Sequence, residues 1–106
     1  MPKYLIVASY NTEGIKGVLD KGGVARRDAV SKLITDAGGS LESFHFAFGD
    51  EDAYVIVDLP NNETVAAIAM TVAASGAVTC KTVVLLTPEE IDRAAGVAVD
   101  YRPPGS

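Results

Sequence analysis

The chain has no tryptophan, one cysteine and one histidine among 106 residues, and each shortage removes a class of function. Cys80 alone cannot build an internal disulfide framework, which fits a reducing compartment. A single histidine and a single cysteine cannot complete a structural zinc site. Basic residues are scarce: nine Lys and Arg against fourteen Asp and Glu leave a net charge of −5. That balance argues against a nucleic-acid partner, which selects for a cationic surface. The one basic cluster, Arg26-Arg27, is followed at once by Asp28 and reads as a solvated helix face. No apolar run approaches the length of a bilayer span, so no membrane partner is expected. Met1-Pro2-Lys3 leads into a run too short and too β-branched for a signal peptide, and a cytoplasmic location follows as an expectation. No G-x-G-x-x-G, P-loop, G-x-S-x-G or H-E-x-x-H pattern occurs.

What is present is a well-patterned small domain, 48% hydrophobic and 22% charged. Its most informative stretch is Leu41–Pro60, where two β-type runs, Leu41–Phe48 and Ala53–Leu59, flank the polar turn Gly49-Asp50-Glu51-Asp52. Placing Phe48 opposite Ala53 sets Phe46 against Val55 and Phe44 against Val57. One face of the hairpin then carries Phe44, Phe46, Phe48, Val55, Val57 and Leu59, the other Ser43, His45, Ala47, Tyr54, Ile56 and Asp58. A slip by one residue would put Asp58 among the phenylalanines. The first face is core; the second is neither apolar nor polar enough to stand alone.

The rest of the chain supplies partners for that hairpin. Tyr4–Tyr10 is apolar on both sides and belongs inside a sheet. Thr12 offers a cap for one or two helical turns at Ile15–Leu19, and Gly22-Gly23 interrupts them. A stronger helix runs from Val24 to Ala37, stopped by Gly38-Gly39. Pro60-Asn61-Asn62 leads into an alanine-rich helix over Glu63–Ala74, and Val78–Leu86 is a fourth strand holding Cys80, read as a small buried residue. Thr87-Pro88-Glu89-Glu90 is a strong helix start, predicting a short helix Pro88–Ala95. Residues 1–96 thus form one domain, and residues 97–106 an extended, proline-bearing tail.

The order is that of an α+β, ferredoxin-like βαββαβ domain: a four-stranded antiparallel sheet with two main helices on one face, plus a short C-terminal helix. Those helices cover the phenylalanine face. The His45 face has nothing left to cover it, so a homodimer through the open sheet face is expected, with the terminal helix and tail either covering part of it or clasping the second subunit.

His45 is the first place to look for acid–base chemistry. With Tyr54 and Asp58 on its face, and Tyr10 at the same cavity mouth, it forms a candidate site for a small organic ligand. The turn Asp50-Glu51-Asp52 lacks a calcium-loop pattern and reads as solvated. No metal and no cofactor are expected. Three functions fit: a binding or accessory module with a cavity between facing sheets, a cofactor-independent monooxygenase or isomerase with His45 as acid/base, or a purely structural dimer.

With these elements placed, the chain resembles the GYD-domain family of small bacterial proteins from about Pro2 to Ala95. The likeness is carried by the strand ending at Tyr10, Gly38-Gly39, the turn Gly49–Asp52, Asp58-Leu59-Pro60 before the alanine-rich helix, and Leu86-Thr87-Pro88-Glu89-Glu90. The resemblance implies a dimeric α+β barrel. It says little of activity, since related barrels include monooxygenases, isomerases and stress proteins. The family's Gly-Tyr-Asp signature is altered here: Glu51 stands where the tyrosine would be, and Tyr54 lies two residues beyond Asp52.

Overall fold

A computed structural model describes residues 1–105; Ser106, the last residue of the expected tail, lies outside them. The elements run β1 (Lys3–Tyr10), α1 (Thr12–Lys21), α2 (Gly23–Asp36), β2 (Ser40–Phe46), β3 (Ala53–Asp58), α3 (Asn62–Ala74), β4 (Val78–Leu85) and α4 (Pro88–Ala95). The four strands form one antiparallel sheet in the order β2-β3-β1-β4, the ferredoxin-like arrangement. β1, apolar on both sides, takes a central position between β3 and β4.

The core lies on one side of the sheet. Tyr4, Val55, Val57 and Leu59 from the strand side meet Ile34 of α2 and Val65 of α3, with Ile6, Val30, Phe44 and Ile68 around them. Tyr4 is 1% exposed, and its hydroxyl donates to Asn62 Oδ1 at 2.6 Å, so its one polar atom is satisfied at the sheet–α3 seam.

Glycine matters most after α2. Gly38 takes φ +89°, and the Gly39 amide reaches back to the Ile34 carbonyl at 3.0 Å, ending the helix as a left-handed C-terminal motif does. Gly39 also lies against β3: a Cβ there would stand 2.0 Å from the Asp58 carbonyl oxygen.

Three local expectations need correction. α1 is a full ten-residue helix rather than a turn or two, and Asn11, not Thr12, caps it by accepting from the Gly14 amide at 3.0 Å. Gly14 is the reason α1 can start so near β4: a Cβ there would meet the Ala77 carbonyl at 2.5 Å. The hairpin register is also moved by two residues, pairing Phe44 with Val55 and Phe46 with Ala53. The turn is pinned elsewhere: the Tyr10 amide donates to Asp52 Oδ2 at 2.7 Å, and the Asp52 amide to the Ala8 carbonyl at 2.9 Å. Those bonds draw the acidic turn onto the end of β1 and leave Phe48 outside the ladder, 107% exposed. A shift of two preserves parity, so Phe44 and Phe46 keep the covered face. A bulge at Glu42 then brings Leu41, opposite Val57, onto that face as well.

α4 carries the capping box its sequence announces. Thr87 Oγ1 accepts from the Glu90 amide at 3.1 Å and Glu90 Oε1 from the Thr87 amide at 3.0 Å, with Pro88 in the first turn. Neither α4 nor residues 96–105 joins the core. The radius of gyration is 16.9 Å, against about 13 Å for a compact chain of this length.

Candidate ligand-binding face

Alternation along the strands sorts the side chains of the uncovered face into rows. One row runs His45–Tyr54–Val7–Lys81 across all four strands, and the next runs Ser43–Ile56–Leu5–Val83. At one end Asp58, Lys3 and Leu85 make a third row; at the other lie Ser9 and Thr79. The face therefore has an apolar centre (Leu5, Val7, Ile56, Val83) with polar groups at its margins.

His45 and Tyr54 are direct cross-strand partners, which puts their Cβ atoms about 4.5–5.5 Å apart. Both side chains are exposed. The structure does not bring Asp58 to them. Four residues along β3 from Tyr54, Asp58 sits opposite Ser40 and Lys3, and its carboxylate pairs with Lys3 Nζ at 3.2 Å. Lys3 also binds Glu42 at 2.6 Å; the hydrogen bond it donates to Glu42 is the main cause holding its ammonium pKa above the ordinary lysine value, with Asp58 adding to it. Asp58, a candidate ligand-binding residue on the His45 face, is thus engaged by a cation at the far end of the sheet.

Tyr10 is a second correction. It shares parity with Tyr4 and Ala8 and so faces the helices, where its hydroxyl accepts from Arg26 Nε at 3.2 Å and the guanidinium lies 5.5 Å from its ring centre. It belongs to the opposite side of the sheet from His45. Cys80 lies there too, and burial pushes its thiol pKa up, partly countered by Arg26, so nothing activates it as a nucleophile.

The sequence reading missed a second polar group on the open side. Glu51 folds over the end of β1, accepting from Ser9 Oγ and pairing with Lys81 Nζ at 2.8 Å. These bonds, Lys81's first, hold the Glu51 carboxyl below the usual glutamate value and raise the Lys81 ammonium above the usual lysine value. Parity alone places Lys81 and Ser9 on the His45 face, since each lies an even number of residues from Val83 or Leu5 in its own strand. The Glu51 contact required the turn geometry. Among the described residues no group of three His, Cys, Asp or Glu side chains is gathered for a metal ion.

Two concavities of the chain lie on the helix side. An apolar cavity of about 50 Å³ sits between sheet and helices among Ile6, Val30, Val65, Ile68 and Cys80. A shallow groove of about 390 Å³ runs between α1 and α2 past Tyr10, Val18 and Arg26. The first is room for a few waters. The His45 face is by contrast a surface, which becomes a pocket only when something is laid against it.

No helix among the described residues is long and apolar enough to cross a membrane. None of the curated proteins and none of the solved structures matches the chain. Residues 4–95, from the buried Tyr4 to the last residue of α4, match the GYD domain, and the chain belongs to the GYD domain family.

Proposed function

We propose that this protein is a binding or accessory module that works as a homodimer, its two open sheet faces enclosing a cavity for a small organic ligand. One observation carries the reading. The sheet face opposite the helices has an apolar centre and an adjacent imidazole–phenol pair, and no element among the described residues covers it. Apolar surface held in water is unfavourable at about 25 cal/mol per Å², and a second copy removes the same patch twice. In the closed cavity, Leu5, Val7, Ile56 and Val83 supply an apolar floor. His45 and Tyr54 supply one donor-or-acceptor nitrogen pair and one hydroxyl, a setting suited to a flat, mostly apolar molecule with one or two polar atoms.

The acid–base enzyme reading keeps His45 and Tyr54 but has Asp58 engaged by Lys3, which leaves Tyr54 as the group to orient a substrate. The binding reading does not depend on that contact.

Native mass spectrometry of protein purified from its own host tests the proposal. The expected spectrum is a dimer carrying an additional small mass, lost in a His45→Ala, Tyr54→Ala double variant that remains dimeric. A dimer of bare chains in the unaltered protein supports a purely structural role instead.

A further inference from the structure

Two unpartnered apolar regions stand at diagonally opposite corners of the sheet. At the hairpin corner, Phe48 is wholly exposed beside the half-exposed Phe46, whose ring lies against Gly23 and thus next to Val24 at the start of α2. At the other corner β4 ends and the C-terminal arm begins. The arm presents Ile91 (51% exposed), Val97, Val99 (78%) and Tyr101, with an isolated helix of eight residues at its root. A helix that short is not stable in water by its sequence alone, even with a capping box, so its apolar stripe needs a surface to lie on.

That surface is not in the same chain. The hairpin corner belongs to β2 and the Ala8 end of β1, whereas the arm leaves from β4 at the Lys3 end. Strand spacing and rise put these corners roughly 25–30 Å apart within one sheet. The arm also points outward, since the molecule measures 56 Å along its longest axis while an eight-residue strand spans only about 26 Å.

We infer that the arm, α4 with residues 96–105, docks on the hairpin corner of a second copy, against Phe48, Phe46 and Val24. The inference rests on the face-to-face dimer proposed above. A two-fold axis lying diagonally between two facing sheets exchanges the corners, bringing the arm root of each chain over the hairpin of the other, from where the arm passes round the β2 edge to Phe46 and Val24 on the helix side. The area involved points the same way. Four strands about 4.8 Å apart and about 20 Å long give a footprint of roughly 400 Å². A stable interface buries about 800 Å² from each partner. The sheet faces alone fall short, and two exchanged arms supply the remainder.

The test is a cycle of full-length variants followed by sedimentation equilibrium, with circular dichroism to confirm that each is folded. Phe48→Ala alone, and Ile91→Ala with Val97→Ala and Val99→Ala in the arm, each raise the dimer Kd by about tenfold or more, as expected for buried apolar anchors. Combined, they raise it little beyond the larger single effect, because each set removes the partner of the other. Effects that multiply, to about a hundredfold, mean that arm and hairpin do not touch. Variants that leave the Kd of a dimeric wild type unchanged also overturn the inference, while the dimer reading stands. A wild type that is itself monomeric defeats that reading and the arm exchange together.

Discussion

The covered and uncovered faces of this sheet are made from alternate residues of the same four strands, yet they differ in kind. On the helix side Tyr4, Val57 and Leu59 are wholly buried, and the Tyr4 and Tyr10 hydroxyls each have a partner. On the other side Lys3, Ser9, His45, Tyr54 and Lys81 surround a small apolar centre, and the charged groups are tied to carboxylates at the margins. A strand's alternation assigns each residue to a face, but the number of helices decides which face is closed. An uncovered face with an apolar centre is what the proposed dimer would close.

Substitutions that treat the two faces differently sharpen this contrast. The largest effect is expected at Gly39, where an alanine Cβ would collide with the Asp58 backbone. Gly39→Ala should lower unfolding free energy by about 3 kcal/mol or more, read from its urea midpoint. Leu59→Ala on the covered side should remove roughly 2–5 kcal/mol. Its open-face counterpart, Val83→Ala, should change chain stability by only about 0.5 kcal/mol at dilutions where the chain is monomeric. Equal losses at both positions would erase the distinction between the faces. Tyr4→Phe, which leaves Asn62 without its donor, should remove about 1 kcal/mol.

The smallest effect is a pH dependence. Glu51 has a lowered pKa in the folded chain, so its contribution is present above the usual glutamate value near ~4.3 and is lost as pH falls through the folded value. The Lys81 contribution runs the other way: its pKa is raised, so it is fully present below the usual lysine value near ~10.4 and fades as pH rises through the folded one. Urea midpoints followed downward from pH 6 should fall less steeply in Glu51→Gln than in the unaltered chain. Parallel curves would show that the Ser9–Glu51–Lys81 contact adds nothing to folding.

Much of the fold was legible in the sequence because its signals are local. The Thr87-Pro88-Glu90 start, the glycines after α2 and the two-sided apolar pattern of β1 each act within a few residues. What was not legible depends on contacts between distant segments. The hairpin register was set by Asp52 bonding to Tyr10 and Ala8, forty or so residues away in sequence, which no turn rule within the hairpin reveals. For the site, parity alone put His45 and Tyr54 on one face, whereas their direct pairing came with the two-residue shift of register. Asp58 lies on the expected face, and its pairing with Lys3 needed the three-dimensional structure; Tyr10, counted from the buried Tyr4, belongs to the other face and was misplaced.

Analytical ultracentrifugation at micromolar concentration is the most direct test of a face completed by its own copy. The account requires a particle of twice the chain's 11.0 kDa that dissociates when Val83 is replaced by Asp. A single 11.0 kDa species, unchanged on raising the concentration, would contradict it.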